Sequence, residues 1–210
     1  MVAVANFRWH QWTGEIEHLK TDIVVMNVDR EAQGGLRRRI LIRDGGWPTW
    51  GSDNVIFFHR GVDTKLPSGA VQTNWGVFRY DIATRQTTRV TPEAFDAVTP
   101  AAISATRVAV ATIRQKTGPT NDHRGEAQCR HIEIFDVNDG PDRPVKITQN
   151  ISPEADHYNP FILDGGRHVG YHRCTTTKEL LMVITAEGEF ICLLADSEYT
   201  PRRTLSVLNY

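Results

Sequence analysis

At 210 residues, with 40% hydrophobic and 23% charged content, the chain has the composition of ordinary globular protein, enough for one sizeable core or two small ones, and nothing in it indicates disorder. A formal charge of −1 supplies no global pull toward nucleic acid or anionic lipid, so neither is expected as a partner. Cys129, Cys174 and Cys192 follow neither CxxC nor a regular spacing, which argues against a disulfide framework or a zinc knuckle and for buried thiols.

The first 20 residues carry Trp9, His10 and Trp12 without clean periodicity and are expected to form a segment of their own. They lack a basic stretch followed by an unbroken apolar run, and no later segment approaches membrane-spanning length, so a soluble chain is expected, with a cytoplasmic location favoured. The sequon Asn150-Ile151-Ser152 is followed at once by Pro153 and is short enough to arise by chance.

The run from Thr21 to Asp29 is apolar and β-branched, and from Arg38 to Arg43 Ile40 and Ile42 alternate with arginine; the two are predicted to form a hairpin. Asp44-Gly45-Gly46 breaks the run. A first four-strand unit follows, with strands predicted at Pro48 to Trp50, Val55 to His59, Trp75 to Ile82 and Thr87 to Thr91, and a polar insertion from Gly61 to Asn74. A second unit repeats the order: Ala101 to Ser104, Val108 to Ile113, an insertion from Gln115 to Cys129, His131 to Val137, and Pro144 to Thr148. The third has Phe161 to Leu163, His168 to His172, Glu179 to Thr185 and Phe190 to Leu194, before an ambiguous tail over 196–210. No segment shows a sustained helical period with caps, so the fold class is all-β.

The units are copies. Asp44, Asp96 and Asp156 each stand four residues before Pro48, Pro100 and Pro160, and each proline leads through a polar turn to a Val-led apolar run ending in arginine. The prolines are 52 and 60 residues apart, close to the roughly 40–50 residues of a four-stranded propeller blade with a loop insertion. The reading is therefore a β-propeller of four-stranded antiparallel blades, with proline opening the inner strand, where a ladder N–H is dispensable. Over 21–195 the units fall near 21–43, 44–95, 96–155 and 156–195, about three and a half blades. That is either part of a longer ring or a half-ring that closes as a homodimer.

The stretches PTWGSDNVIFFHR, PAAISATRVAVATIR and NPFILDGGRHVGYHR resemble the PxWSPDGxxIxFxS repeat of TolB-like six-bladed propellers. With TGEIEHLKTDIVVMNVDRE, the chain is most similar to plant proteins described as TolB-related or as like the N-terminal propeller of dipeptidyl peptidases, over nearly all of residues 10–195. It departs from the generic repeat in its longer insertions and in lacking the SPDG turn, approached only at Asp164-Gly165-Gly166. The resemblance implies a WD-like repeat scaffold with an interaction role, binding a protein or small ligand.

Candidate chemistry is sparse. Asp44, Asp96 and Asp156 can gather near the axis to bind a cation or a cationic partner, or can form turns through side-chain hydrogen bonds to the backbone. His157, before Pro160, has Gly45 and Ala97 as its counterparts; oligogalacturonate lyases, also propellers, are similar in holding a divalent metal with histidines near blade entrances. His168 and His172 share a strand face with Gly170, and His59 matches His172 in the repeat, so His157 and His172 are the metal-ligand candidates, against a plain reading as polar strand residues. No GxSxG, P-loop, GxGxxG leading into a helix, or HExxH is present. The expected function is a non-catalytic scaffold without a cofactor, whose loops and funnel bind; the alternative is a metal-assisted carbohydrate lyase or hydrolase with a site at the axis.

Overall fold

The computed structural model describes residues 2–7, 21–26, 38–65, 67–69, 71–114, 129–144, 148, 155–175 and 178–198. They form antiparallel sheets and, apart from 3-10 conformation at Thr148 and at Asp164–Gly166, no helix. Among them no helix is long and apolar enough to cross a membrane. The first sheet is β1 (Val2–Phe7), β2 (Thr21–Met26) and β3 (Arg38–Ile42), and the second is β4 (Gly46–Ser52), β5 (Val55–Lys65), β6 (Val71–Asp81) and β7 (Gln86–Arg89). The third is β8 (Phe95–Ala102), β9 (Arg107–Arg114) and β10 (His131–Asp136), and the fourth is β11 (Asp156–Leu163), β12 (His168–Cys174), β13 (Lys178–Thr185) and β14 (Phe190–Glu198). Strands are neighbours in chain order throughout, so every sheet is a meander. The expected strand over 144–148 and most of the 115–129 insertion lie outside the described residues.

The sheets pack face to face. Phe58 and Tyr80 of the second sheet meet Ile23 and Ile42 of the first, whereas Val55, Phe57 and Val77 face Val108, Val110 and Phe135 of the third. The third sheet turns Ala109, Ala111, Ile132 and Ile134 toward Val169, Tyr171, Met182 and Ile184 of the fourth. Adjacent residues such as Phe57 and Phe58 thus serve different interfaces, which explains why these strands read as unbroken apolar runs rather than as an alternation. Each such aromatic contributes about 1.5–3 kcal/mol by leaving water.

One local device recurs. Trp47, Thr99 and Asn159, each directly before a proline, have φ of 51°, 48° and 47°, and each sits at a one-residue bulge against the next strand. The right-handed helical region is closed to a residue before proline, and a bulge accommodates both the left-handed turn and the missing N–H. The prolines therefore lie inside β4, β8 and β11 rather than at their starts.

A second device joins the sheets. Strand β7 pairs with β6 only from Phe78 to Asp81, leaving the outward N–H groups of Trp75 and Val77 without a ladder partner. The chain crossing to the third sheet supplies acceptors: Val77 N–H donates to Thr91 Oγ1 (3.1 Å) and Trp75 N–H to Asp96 Oδ1 (3.1 Å). The next crossing repeats this, with Ile132 N–H donating to Thr148 Oγ1 (2.9 Å) and Arg130 N–H to Asp156 Oδ1 (2.7 Å). At the first crossing Gly45 N–H donates to Thr21 O, as His157 N–H does to Arg130 O, both at 2.8 Å. Thr21 and β2 thus occupy the place of Arg130 and β10, so the first sheet matches the second to fourth strands of the later units.

Three expectations change. The N-terminal segment contains a strand, β1, paired with β2 from Val2↔Met26 to Phe7↔Thr21; its short Val-Ala run carries no period-2 signal. The Gly61 to Asn74 insertion is not a loop throughout, because β5 and β6 stay paired out to Lys65↔Val71 as a two-stranded ribbon beyond β4 and β7. Cys129 and Cys174 are partly exposed rather than buried. The account of the crossings predicts that Thr91→Val, which keeps shape but removes the acceptor for a buried N–H, lowers the unfolding free energy in urea by about 1–3 kcal/mol. An exposed Thr88→Ala control should stay within about 0.5 kcal/mol.

Candidate functional site

Asp44, Asp96, Asp156 and His157 stand where β4, β8 and β11 begin, whereas His168 lies at the far end of β11, opposite Leu163. Asp96 Oδ2 also takes a hydrogen-bonded ion pair from Arg130 Nη2 at 3.3 Å, so Arg130 is held through its guanidinium by Asp96 and through its backbone by Asp156. These carboxylates do not close local turns; their backbone partners lie 21 and 26 residues earlier in the chain. Near Asp44 the cation is Arg60, whose Nε and Nη2 donate to the carbonyls of Asp44 (3.0 Å) and Arg43 (2.9 Å). An arginine of the chain itself thus accompanies the repeat position at Asp44 and at Asp96.

His157 lies inside the interface between the third and fourth sheets and is fully buried. Its Nδ1 is 2.6 Å from Thr148 Oγ1, the hydroxyl that also caps Ile132 N–H. The ring meets His131 edge-on and Tyr171 at a tilt, both with centroids 5.3 Å away. Burial first, then the positive fields of His131 and Arg173, push its pKa down to about 3, so the imidazole is neutral at physiological pH.

His172 projects from the other face of the same sheet. Its Nδ1 is 2.8 Å from Glu179 Oε1, the oxygen to which Tyr158 Oη donates at 2.6 Å, and the Tyr158 ring stacks on the imidazole at 5.5 Å. Burial and the Glu179 hydrogen bond and charge push the Tyr158 phenol up, while burial and the Glu179 and Asp156 carboxylates raise the Cys174 thiol. This is an imidazole oriented by a carboxylate, without an activated thiolate beside it. His157 and His172, lying on opposite faces, cannot ligate one ion. Among the described residues no three His, Cys, Asp or Glu side chains converge as a metal site would require.

His59 and His172 do match: Gly46↔His59 and Tyr158↔His172 are both the last pair before a bulge. In the second sheet that position serves packing. His59 Nδ1 accepts Thr99 N–H of the third sheet at 3.2 Å, with Trp75 edge-on at 5.1 Å and the half-exposed Trp47 at 6.5 Å. His168 is paired with Asp164 at 2.8 Å in the turn before β12. The residues not anticipated are Arg130, Thr148, Trp47, Tyr158 and Glu179. Thr91 and Thr148 stand at corresponding places in the two unit ends, five and eight residues before the repeat aspartates, and that recurrence is the signal that was available. The chain matches no family model and no curated protein.

The two buried histidines give a pH dependence of defined sign. Burial lowers the His59 pKa to about 4, and His157 falls to about 3, both below the ordinary 6.5. The unfolded chain then binds protons that the folded chain refuses, so their stabilising contribution is complete above about pH 6.5 and is lost as pH falls toward 4 and 3. Melting temperature should decline from pH 6.5 to 4.5. The slope should flatten in the His59→Gln, His157→Gln double variant; an unchanged slope would show that neither histidine is neutral when folded.

Proposed function

We propose that the sheets are blades of a TolB-like β-propeller and that the chain is a non-catalytic scaffold which binds a protein or small ligand through the loops and funnel at the starts of β4, β8 and β11. The successive face-to-face interfaces, the recurring bulge in each first strand and the order of strands within each sheet support the blade reading. With the first sheet lacking only its first strand, the sheets make nearly four blades, and a larger ring would draw further blades from a longer polypeptide or from a second copy. The arginines that accompany Asp44 and Asp96 favour binding over metal-assisted chemistry at that end.

The observation that carries the binding reading is the ribbon formed by the ends of β5 and β6. Beyond Arg60↔Gly76 no other described strand pairs with it, it presents Val71 at 61% exposure, and Trp75 and Trp47 flank His59 at its foot. A paired ribbon on a packed sheet is a rigid recognition element, and its open edges can accept an extended segment by strand addition. Shortening the ribbon to a two-residue turn between Val62 and Asn74, which keeps Trp75 and its bond to Asp96, should leave melting temperature and circular dichroism nearly unchanged. A partner purified on the wild-type chain should bind it saturably by calorimetry and lose at least tenfold in affinity for the shortened chain. Equal affinity for both chains would remove the ribbon from the interaction.

A further inference from the structure

The second sheet carries an arrangement that sheet packing alone does not require. Arg60 of β5 is the register partner of Gly76 in β6, and Phe78 of β6 that of Arg89 in β7. Because Gly76 has no side chain, the Arg89 guanidinium lies directly on it, and a Cβ there would come within 2.9 Å of Arg89 Nη2. The pairs that correspond to Arg60 and Gly76 are Thr112 and His131 in the third sheet and Arg173 and Leu180 in the fourth. Neither contains the glycine, so this is a property of the second sheet and not of the repeat.

Both guanidiniums gather over one ring. Arg60 Cζ is 5.5 Å and Arg89 Cζ 5.6 Å from the Phe78 centroid, and Arg60 Cζ is also 5.1 Å from that of Phe58. Each is pinned along one edge by main-chain carbonyls: Arg60 Nε and Nη2 donate to Asp44 and Arg43, and Arg89 Nε and Nη2 donate to Thr91 (2.9 Å) and Pro92 (3.3 Å). A guanidinium has five N–H donors, so each retains its Nη1 group and one Nη2 proton for a further acceptor. Both residues are half-buried, and among the described residues neither has a carboxylate within ion-pair distance. Burial lowers both guanidinium pKa values, while the charges of Asp44 on Arg60 and of Glu93 on Arg89 act against it from farther off.

Two rigidly held, partly desolvated cations that meet at a glycine favour an acceptor that brings its own negative charge. The free end of each fork suits one carboxylate. Asp44 and Glu93 already offset part of the positive field, which disfavours a doubly charged phosphate. We propose that Arg60 and Arg89, at the foot of the β5–β6 ribbon, form a recognition site for the carboxylates of an acidic, extended segment of a partner protein. This rests on the binding-scaffold reading and adds the chemistry of the partner: the ribbon offers main-chain edges, and the arginines select side-chain charge.

Fluorescence anisotropy with two labelled hexapeptides, one alternating valine with glutamate and the other valine with glutamine, tests this. The glutamate peptide should bind the wild-type chain saturably and about tenfold more tightly than the glutamine peptide, with the preference falling as salt rises. Arg60→Gln and Arg89→Gln should each remove most of that preference. Arg60→Lys and Arg89→Lys keep the charge and lose the planar fork, so each should lower the preference about threefold, and they decide the matter if a glutamine variant does not fold. The chain with the shortened ribbon retains both arginines and should keep the glutamate preference even where its overall affinity drops, so the ribbon reading and this one fail separately. Equal binding of the two peptides to the wild-type chain, or a preference that the arginine variants leave unaltered, would overturn the proposal. Tighter binding of a phosphoserine peptide than of the glutamate peptide would overturn the assignment to carboxylates.

Discussion

In the second sheet the third strand, β6, runs past the reach of the fourth, β7, and the way the next unit closes that edge organises the molecule. A strand edge buried between sheets cannot leave its N–H groups unpaired, since each orphan costs about 1–3 kcal/mol. At the second and third crossings the chain solves the problem by ending one unit with a threonine, Thr91 or Thr148, and opening the next with an aspartate, Asp96 or Asp156. Val77 and Ile132 then donate to the hydroxyls, Trp75 and Arg130 to the carboxylates. The same hydrogen bonds that satisfy one sheet therefore position the first strand of the next. Repeat spacing, sheet stacking and the placing of Arg130 between Asp96 and Asp156 all follow from that.

Burial on two faces is the complementary constraint. It makes β5 read VIFF and allows β9 to alternate Val108 and Val110 with Ala109 and Ala111, large toward one neighbour and small toward the other. Strand positions and the recurrence of units were legible because apolar runs between turn residues are local signals. Register was less so. The proline recurrence was visible, but its meaning, a left-handed residue and a bulge inside the strand, depends on pairing with β5, β9 and β12. Strand β1 is defined by its pairing with β2, which no local pattern announces, and the ribbon beyond Arg60 pairs polar residues that composition alone marks as a loop.

The site was legible in its residues and not in their roles. Asp96 and Asp156 stood out as repeats, yet whether a carboxylate faces solvent or a neighbour's N–H is decided by a partner 21 or 26 residues away in the chain. His157 stood out because Gly45 and Ala97 replace it elsewhere. Its burial against Tyr171, with Thr148 on Nδ1, depends on contacts between separate sheets that no local window contains. His59 and His172 match in sequence and in register, but one faces a following sheet and accepts Thr99 N–H while the other turns to Glu179. An equivalent position thus gives different chemistry according to what packs on it.

The most direct test is amide hydrogen exchange at Trp75, Val77, Arg130 and Ile132, followed by NMR. If side chains from the next unit cap these groups, their protection should equal that of ladder-paired neighbours such as Phe57 and Ala109, and Asp156→Ala should speed exchange at Arg130 while leaving Trp75 slow. Exchange at all four as fast as in an exposed turn, with the wild-type chain folded, would contradict the account.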